Sequence, residues 1–321
     1  MKIQAFKTLL GELCGLVKLQ RLTKIIVVPD HQVAETVNAL LELATTRANP
    51  YAPGSYAAQA ITIPLELYGE LFCFIVIAES IVQGLSVARY HTSDAVSAVL
   101  EEFLHVWHYS EIWDRRGYIQ PSRDGTDLCT ADLFVLSSKM HDEYVVGRIK
   151  SEILATVPLV DNADDATTVR IMYGDKVDIR LENAFGGLYR TISNASLGAI
   201  SKSDTWNQLT NIMYRDILEP LGRDSACRYG NEEVPRTETI ALQSPFFSQI
   251  FSEYWNGIRV QLERTIDTGL RETEPALDEI VTILRSFLAK IGITFQKTVD
   301  GICWVNVDRG WLDSLRTDSI R

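Results

Sequence analysis

The chain has 321 residues, 46% hydrophobic and 23% charged, with a formal net charge of −11. This is globular composition with ample apolar material for a core, near the length where one core gives way to about two domains, and it argues against global disorder. The acidic balance disfavours broad contact with a nucleic-acid backbone, which needs clustered Lys and Arg, so no nucleic acid is expected as a partner.

The five cysteines (Cys14, Cys73, Cys129, Cys227, Cys303) are odd in number, scattered, and form no CxxC pair. They suggest neither a disulfide framework nor a zinc ribbon, and a reducing, cytoplasmic compartment is expected. The first two dozen residues, interrupted by Glu12, Lys18 and Arg21, lack a signal-peptide cleavage pattern. The most apolar run, Leu71 to Ala78 between Glu70 and Glu79, is far shorter than the ~20 residues that cross a bilayer, and no membrane is expected.

In chain order, residues 4 to 22 read as an amphipathic helix, and Lys24 to Val28 as a strand stopped by Pro29-Asp30. Val33, Val37, Leu40 and Leu41 then recur at helical spacing. Asn49 to Gly54 is a loop. Ala60 to Leu67 and Leu71 to Ala78, parted by Tyr68-Gly69-Glu70, read as a β-hairpin whose second strand is buried on both faces. Ser93-Asp94 can cap a helix to about Tyr109. The loop Gly117 to Asp127 leads to a helix from about Ala131 to Leu154, and Val157 to Thr168 is the best candidate linker.

Beyond the linker, Trp206, Leu209, Met213 and Ile217 share one face of a helix over Ser203 to Leu218, which Pro220-Leu221-Gly222 should stop. Residues 244 to 271 and 275 to 291 are two more helical stretches. Ile293 to Val299 and Ile302 to Val307 flank Asp300-Gly301, a strong hairpin signal.

All five histidines (His31, His91, His105, His108, His141) fall in the first 141 residues. On the helix from Ser93, at roughly 100° per residue, Glu101, His105 and His108 fall within an arc of about 60°, and Glu102 lies about 100° from Glu101. Val96, Val99, Leu100, Phe103, Leu104 and Trp107 take the opposite side. Carboxylate and imidazole at i and i+4 can reach one ion. The same four polar residues also fit the solvated face that any amphipathic helix presents.

VLEEFLHVWH resembles the active-site helix of HExxH metallopeptidases, with Glu101-Glu102-Phe103-Leu104-His105 where His-Glu-x-x-His would stand. The hairpin before it resembles the strands that precede that helix in small gluzincins. HDEYVVGRIKSEIL is similar to the helix that supplies their third, glutamate ligand. Over about residues 24 to 155 the chain resembles the minimal ImmA/IrrE-type metallopeptidases. The resemblance implies His105 as a zinc ligand, Glu102 as general base and Glu143 as third ligand, with Asp142 a substitute, and Tyr144 or Tyr109 as a group polarising a carbonyl.

The first ligand histidine is Glu101 here. Either Glu101 ligates in its place, or His108, His91 or His141 supplies the imidazole, or the motif is degenerate and the fold serves binding only. A Glu101, His105, Glu143 set carries two negative charges, so manganese or iron becomes an alternative to zinc.

Other constellations are weaker. A di-iron bundle needs a second Glu-x-x-His, which the sequence lacks. The cysteines read as packing residues, and Gly186-Gly187 sits in no nucleotide-binding pattern. The last hairpin reads as a cap on the back half, or alternatively as the wing of a winged helix. Pro245 to Val260, rich in aromatics, reads as core and not as a partner groove.

The expected fold is α+β, with a metallopeptidase-like domain over residues 1–156 and a mainly helical domain ending in a β-hairpin over 169–321. The expected function is a metal-dependent, peptidase-like hydrolase acting on a protein or peptide partner. A non-catalytic scaffold or regulatory interaction protein is the alternative.

Overall fold

A computed structural model describes residues 19–42, 60–84, 89–119, 127–156, 177–226, 244–297 and 303–318. The loop 49–54, the linker 157–168, Asp300-Gly301 and all but the last four residues of the expected first helix lie outside them. The chain divides into two compact units, Met1–Pro121 with Ile149–Asn162, and Ser122–Arg148 with Ala163–Arg321. The architecture is mixed α and β, mostly helical, with a small sheet and a C-terminal hairpin.

The first unit is built on a three-stranded sheet in the order β1-β3-β2. β1 (Leu22–Val28) runs parallel to β3 (Glu70–Ala78), and β2 (Ala60–Leu67) runs antiparallel to it. The central place of β3 explains its sequence. Cys73, Ile75, Val76 and Ile77 are all 0% exposed, as a strand covered on both faces requires. Burial pushes the Cys73 thiol up to about 12, against the charge of Arg21. Tyr68 and Gly69 close the hairpin with φ of 54° and 79°. Positive φ at both positions marks the turn whose twist matches the flanking strands.

A 3-10 turn (Asp30–Gln32) leads into α1 (Val33–Glu42), which buries Val33, Val37 and Leu40. The Asp30 carboxylate accepts the Ser80 backbone N–H at 3.1 Å. It thereby satisfies an orphan donor at the start of α2 (Glu79–Gly84). α3 spans Arg89–Arg116, longer at both ends than the sequence suggests, and Ser93-Asp94 lies inside it instead of capping it. Its end follows the rules for helix stops. Arg115 and Arg116 occupy the last turn, and Gly117, at φ 74°, donates back to the Trp113 carbonyl at 2.7 Å.

α4 (Leu128–Thr156) is capped by Asp127, whose carboxylate accepts Thr130 N–H at 2.9 Å. The division between the units passes through this helix, after Arg148. The second unit adds α5 (Val177–Ser196), α6 (Lys202–Ile212), a π-helical turn (Met213–Leu218) and α7 (Glu219–Ala226). Trp206, Leu209, Met213 and Ile217 are buried as expected.

The helix does not stop at Pro220. The widened π turn just before it absorbs the proline, whose missing N–H would otherwise orphan a carbonyl. Arg180 Nη1 donates to the Arg215 carbonyl at 3.0 Å, filling a place that Pro220 cannot fill.

A second π turn (Phe247–Phe251) opens α8 (Ser252–Asp267), which pairs with α9 (Thr273–Lys290). Phe246, Phe247, Phe251 and Trp255 are 3% exposed or less, so the aromatic stretch is core. Phe251 and Phe287 meet edge to face at 4.9 Å. β4 (Ile293–Lys297) and β5 (Cys303–Val307) form the expected antiparallel hairpin. It buries Ile293, Phe295 and Val305 in the helical core, as a cap does. α10 (Gly310–Asp318) follows and buries Trp311 and Leu312.

Two readings of the cysteines part company. Cys73 is free and buried, a packing residue, whereas Cys129 is disulfide-bonded. A pairing between cysteines far apart in sequence is set by tertiary proximity and leaves no spacing signal.

Candidate metal site

The polar side of α3 is not a solvated face. Glu102, His105 and His108 are 8%, 7% and 1% exposed. With Val99, Leu100, Phe103 and Leu104 buried on the other side, the helix is enclosed almost all round, and Trp107 is only half-buried. Buried polar groups need partners.

The Glu101 carboxylate has one in Lys150, whose Nζ stands 2.5 Å from Oε2. The two side chains are 15% and 6% exposed. β2 fixes the same turn, because Thr62 Oγ1 donates to the Glu102 carbonyl at 2.9 Å. His105 stacks on Tyr109, with ring centroids 6.2 Å apart and planes at 24°.

Glu101 and His105 project from successive turns of α3, and a carboxylate oxygen of one lies within 4.8 Å of a ring nitrogen of the other. Two atoms each about 2.1 Å from one ion are at most about 4.2 Å apart. A small rotamer change therefore suffices for both to ligate one ion. Oxygen and imidazole nitrogen suit zinc, manganese or iron.

Glu143, the expected third ligand, lies on α4 in the second unit. There Arg223 Nε donates to its Oε2 at 2.6 Å, and its side chain is 13% exposed. Arg223 also stands 3.7 Å from Glu219. One turn before Glu143, Lys139 lies over the Tyr214 ring at 5.0 Å. Burial holds the Lys139 pKa below the ordinary lysine value, against the charges of Glu219 and Glu143.

Of the remaining candidates, two are engaged elsewhere in the second unit. Asp142 is buried. Tyr144 is 0% exposed and donates to Glu263 at 2.6 Å, and His141 pairs with Thr265 at 3.0 Å. His31 is exposed, and the His91 side chain lies outside the described residues. The His108 ring, 1% exposed, lies 6.4 Å from that of Trp107 and 6.1 Å from that of Tyr109.

Lys150 has no part in the metallopeptidase-like ligand set. A lysine inside the run Val145 to Leu154 is a signal in itself, since lysine is almost never buried unpaired. Its partner, 49 residues away, cannot be named from the chain. No protein-family model matches this chain, and no curated protein or solved structure is significantly similar to it.

Proposed function

We propose that the chain is a metal-dependent, peptidase-like hydrolase with an altered metal site, acting on a protein or peptide partner. Glu101, His105 and Glu143 hold a divalent ion, zinc first and manganese or iron as alternatives, and Glu102 moves the proton. The carrying observation is the pair on α3, a carboxylate and an imidazole on successive turns, withdrawn from water and within 4.8 Å. When bound, such an ion supplies Lewis acidity toward a carbonyl. Lys150 and Arg223 each contact Oε2 of their carboxylate.

A specific observation favours the second reading, a non-catalytic scaffold. Lys150 already gives Glu101 the positive charge that an ion would supply. Elemental analysis separates the two. Near-stoichiometric zinc, manganese or iron in the wild type, lost in His105→Ala and in Glu143→Ala, supports the metal site. A wild type that stays empty after incubation with each ion sinks it and leaves the scaffold.

A further inference from the structure

A hollow of about 500 Å³ lies between α5 and the stretch formed by α6 and the first π turn, wholly within the second unit. The helices approach closely at its floor. A Cβ on Gly187 would stand 3.0 Å from Ile212 Cδ1, so the glycine singled out in the sequence serves packing. Above that floor the lining is polar: side-chain amides, among them Gln208 and Asn211, the guanidiniums of Arg190 and Arg215, and the carboxylate of Asp216, which neutralises Arg215 and leaves Arg190 as the uncompensated positive charge.

The two arginines differ. Arg215 is held, its Nε and Nη2 donating to both oxygens of Asp216 at 2.8 and 2.7 Å. Asp216 is 5% exposed, so the anchor is part of the core. The backbone of Arg215 is fixed too, by the Arg180 bond to its carbonyl. Most surface arginines swing freely, whereas this one is pre-positioned, which lowers the entropy lost on binding.

Arg190 bonds only the Gly186 carbonyl, through Nε at 3.2 Å. Among the described residues neither of its Nη groups has a partner, so its fork is available to an oxyanion. Gln208 is oriented by Thr191, which is 3% exposed and donates to its Oε1 at 3.3 Å. Side-chain amides both donate and accept, and so match hydroxyl or amide groups. The volume is that of a small-molecule site.

We infer that this hollow binds a small organic oxyanion, its carboxylate or phosphate taken by Arg190 beside the fixed Arg215 and its hydroxyl or amide groups met by the amide side chains. This site is independent of the metal reading. The test is calorimetric titration of the full chain with citrate, glucose 6-phosphate and inorganic phosphate. The wild type is compared with Arg190→Ala, Arg190→Gln and, as a control for an exposed charge elsewhere, Arg271→Ala.

The expected result is that citrate or glucose 6-phosphate binds at least tenfold more tightly than inorganic phosphate. Both Arg190 variants should weaken that binding at least tenfold, with Arg271→Ala unchanged. Three results would overturn the inference: no binding by any probe, inorganic phosphate binding as tightly as the organic anions, or an Arg190 variant that folds and binds like the wild type.

Discussion

On α3 the polar residues Glu102, His105 and His108 are buried, whereas most of the polar residues lining the hollow beside α5 stand in solvent. The difference lies in what each arrangement demands of its neighbours. A charge removed from water must be paired or it destabilises the fold by several kcal/mol. The Glu101 carboxylate is accordingly matched with Lys150 inside the first unit. Exposed amides and guanidiniums are solvated without help, and beneath them the floor is set by packing of Gly187 against Ile212. A buried polar cluster is costly to perturb, and an exposed one is costly only to its ligand.

The most severe test of the buried region is alkaline. The Cys73 thiol has its pKa raised from 9.0 to about 12 in the folded chain, so folding favours the protonated form. That contribution is complete below pH 9, and it is lost as pH rises from 9 through about 12. At ~1.4 kcal/mol per unit it amounts to about 4 kcal/mol. Denaturant unfolding from pH 8 to 11 should show a loss of stability that Cys73→Val makes shallower. An identical slope in the two proteins would mean the thiol is not carrying it.

Next in size, Lys150→Met should destabilise the metal-free chain by about 3 kcal/mol, because it removes the buried cation that faces the Glu101 carboxylate. Divalent zinc should restore much of that loss if Glu101 ligates, and none of it if the scaffold reading holds. Thermal melts with and without zinc read this directly.

In the second unit, Trp206 donates to Asp132 at 2.7 Å. Trp206→Phe should lose about 2 kcal/mol, typical of a hydrogen bond to a charged acceptor. Equilibrium urea unfolding measures it, and an unchanged midpoint would mean that this buried bond adds no net stability.

The smallest change is a gain. Tyr68 is fully exposed yet held at φ 54°, a conformation costly for a bulky residue. Tyr68→Asn, giving Asn-Gly at the turn, should stabilise by about 1 kcal/mol, visible as a higher melting temperature.

Strand alternation, helical spacing and turn residues are local, so β1, both hairpins, α1 and the long helix α4 are legible in the chain alone. It also picked out Glu101 and His105 as a pair, since i and i+4 on one helix are neighbours wherever the helix lies. Tertiary structure alone decided that the polar side of α3 is buried and that Lys150 meets Glu101. The same holds for the Cys129 disulfide and for the π turn that carries a helix through Pro220. Each depends on what stands opposite a residue, and burial, pairing and backbone strain are relations between segments distant in the chain that no local pattern encodes.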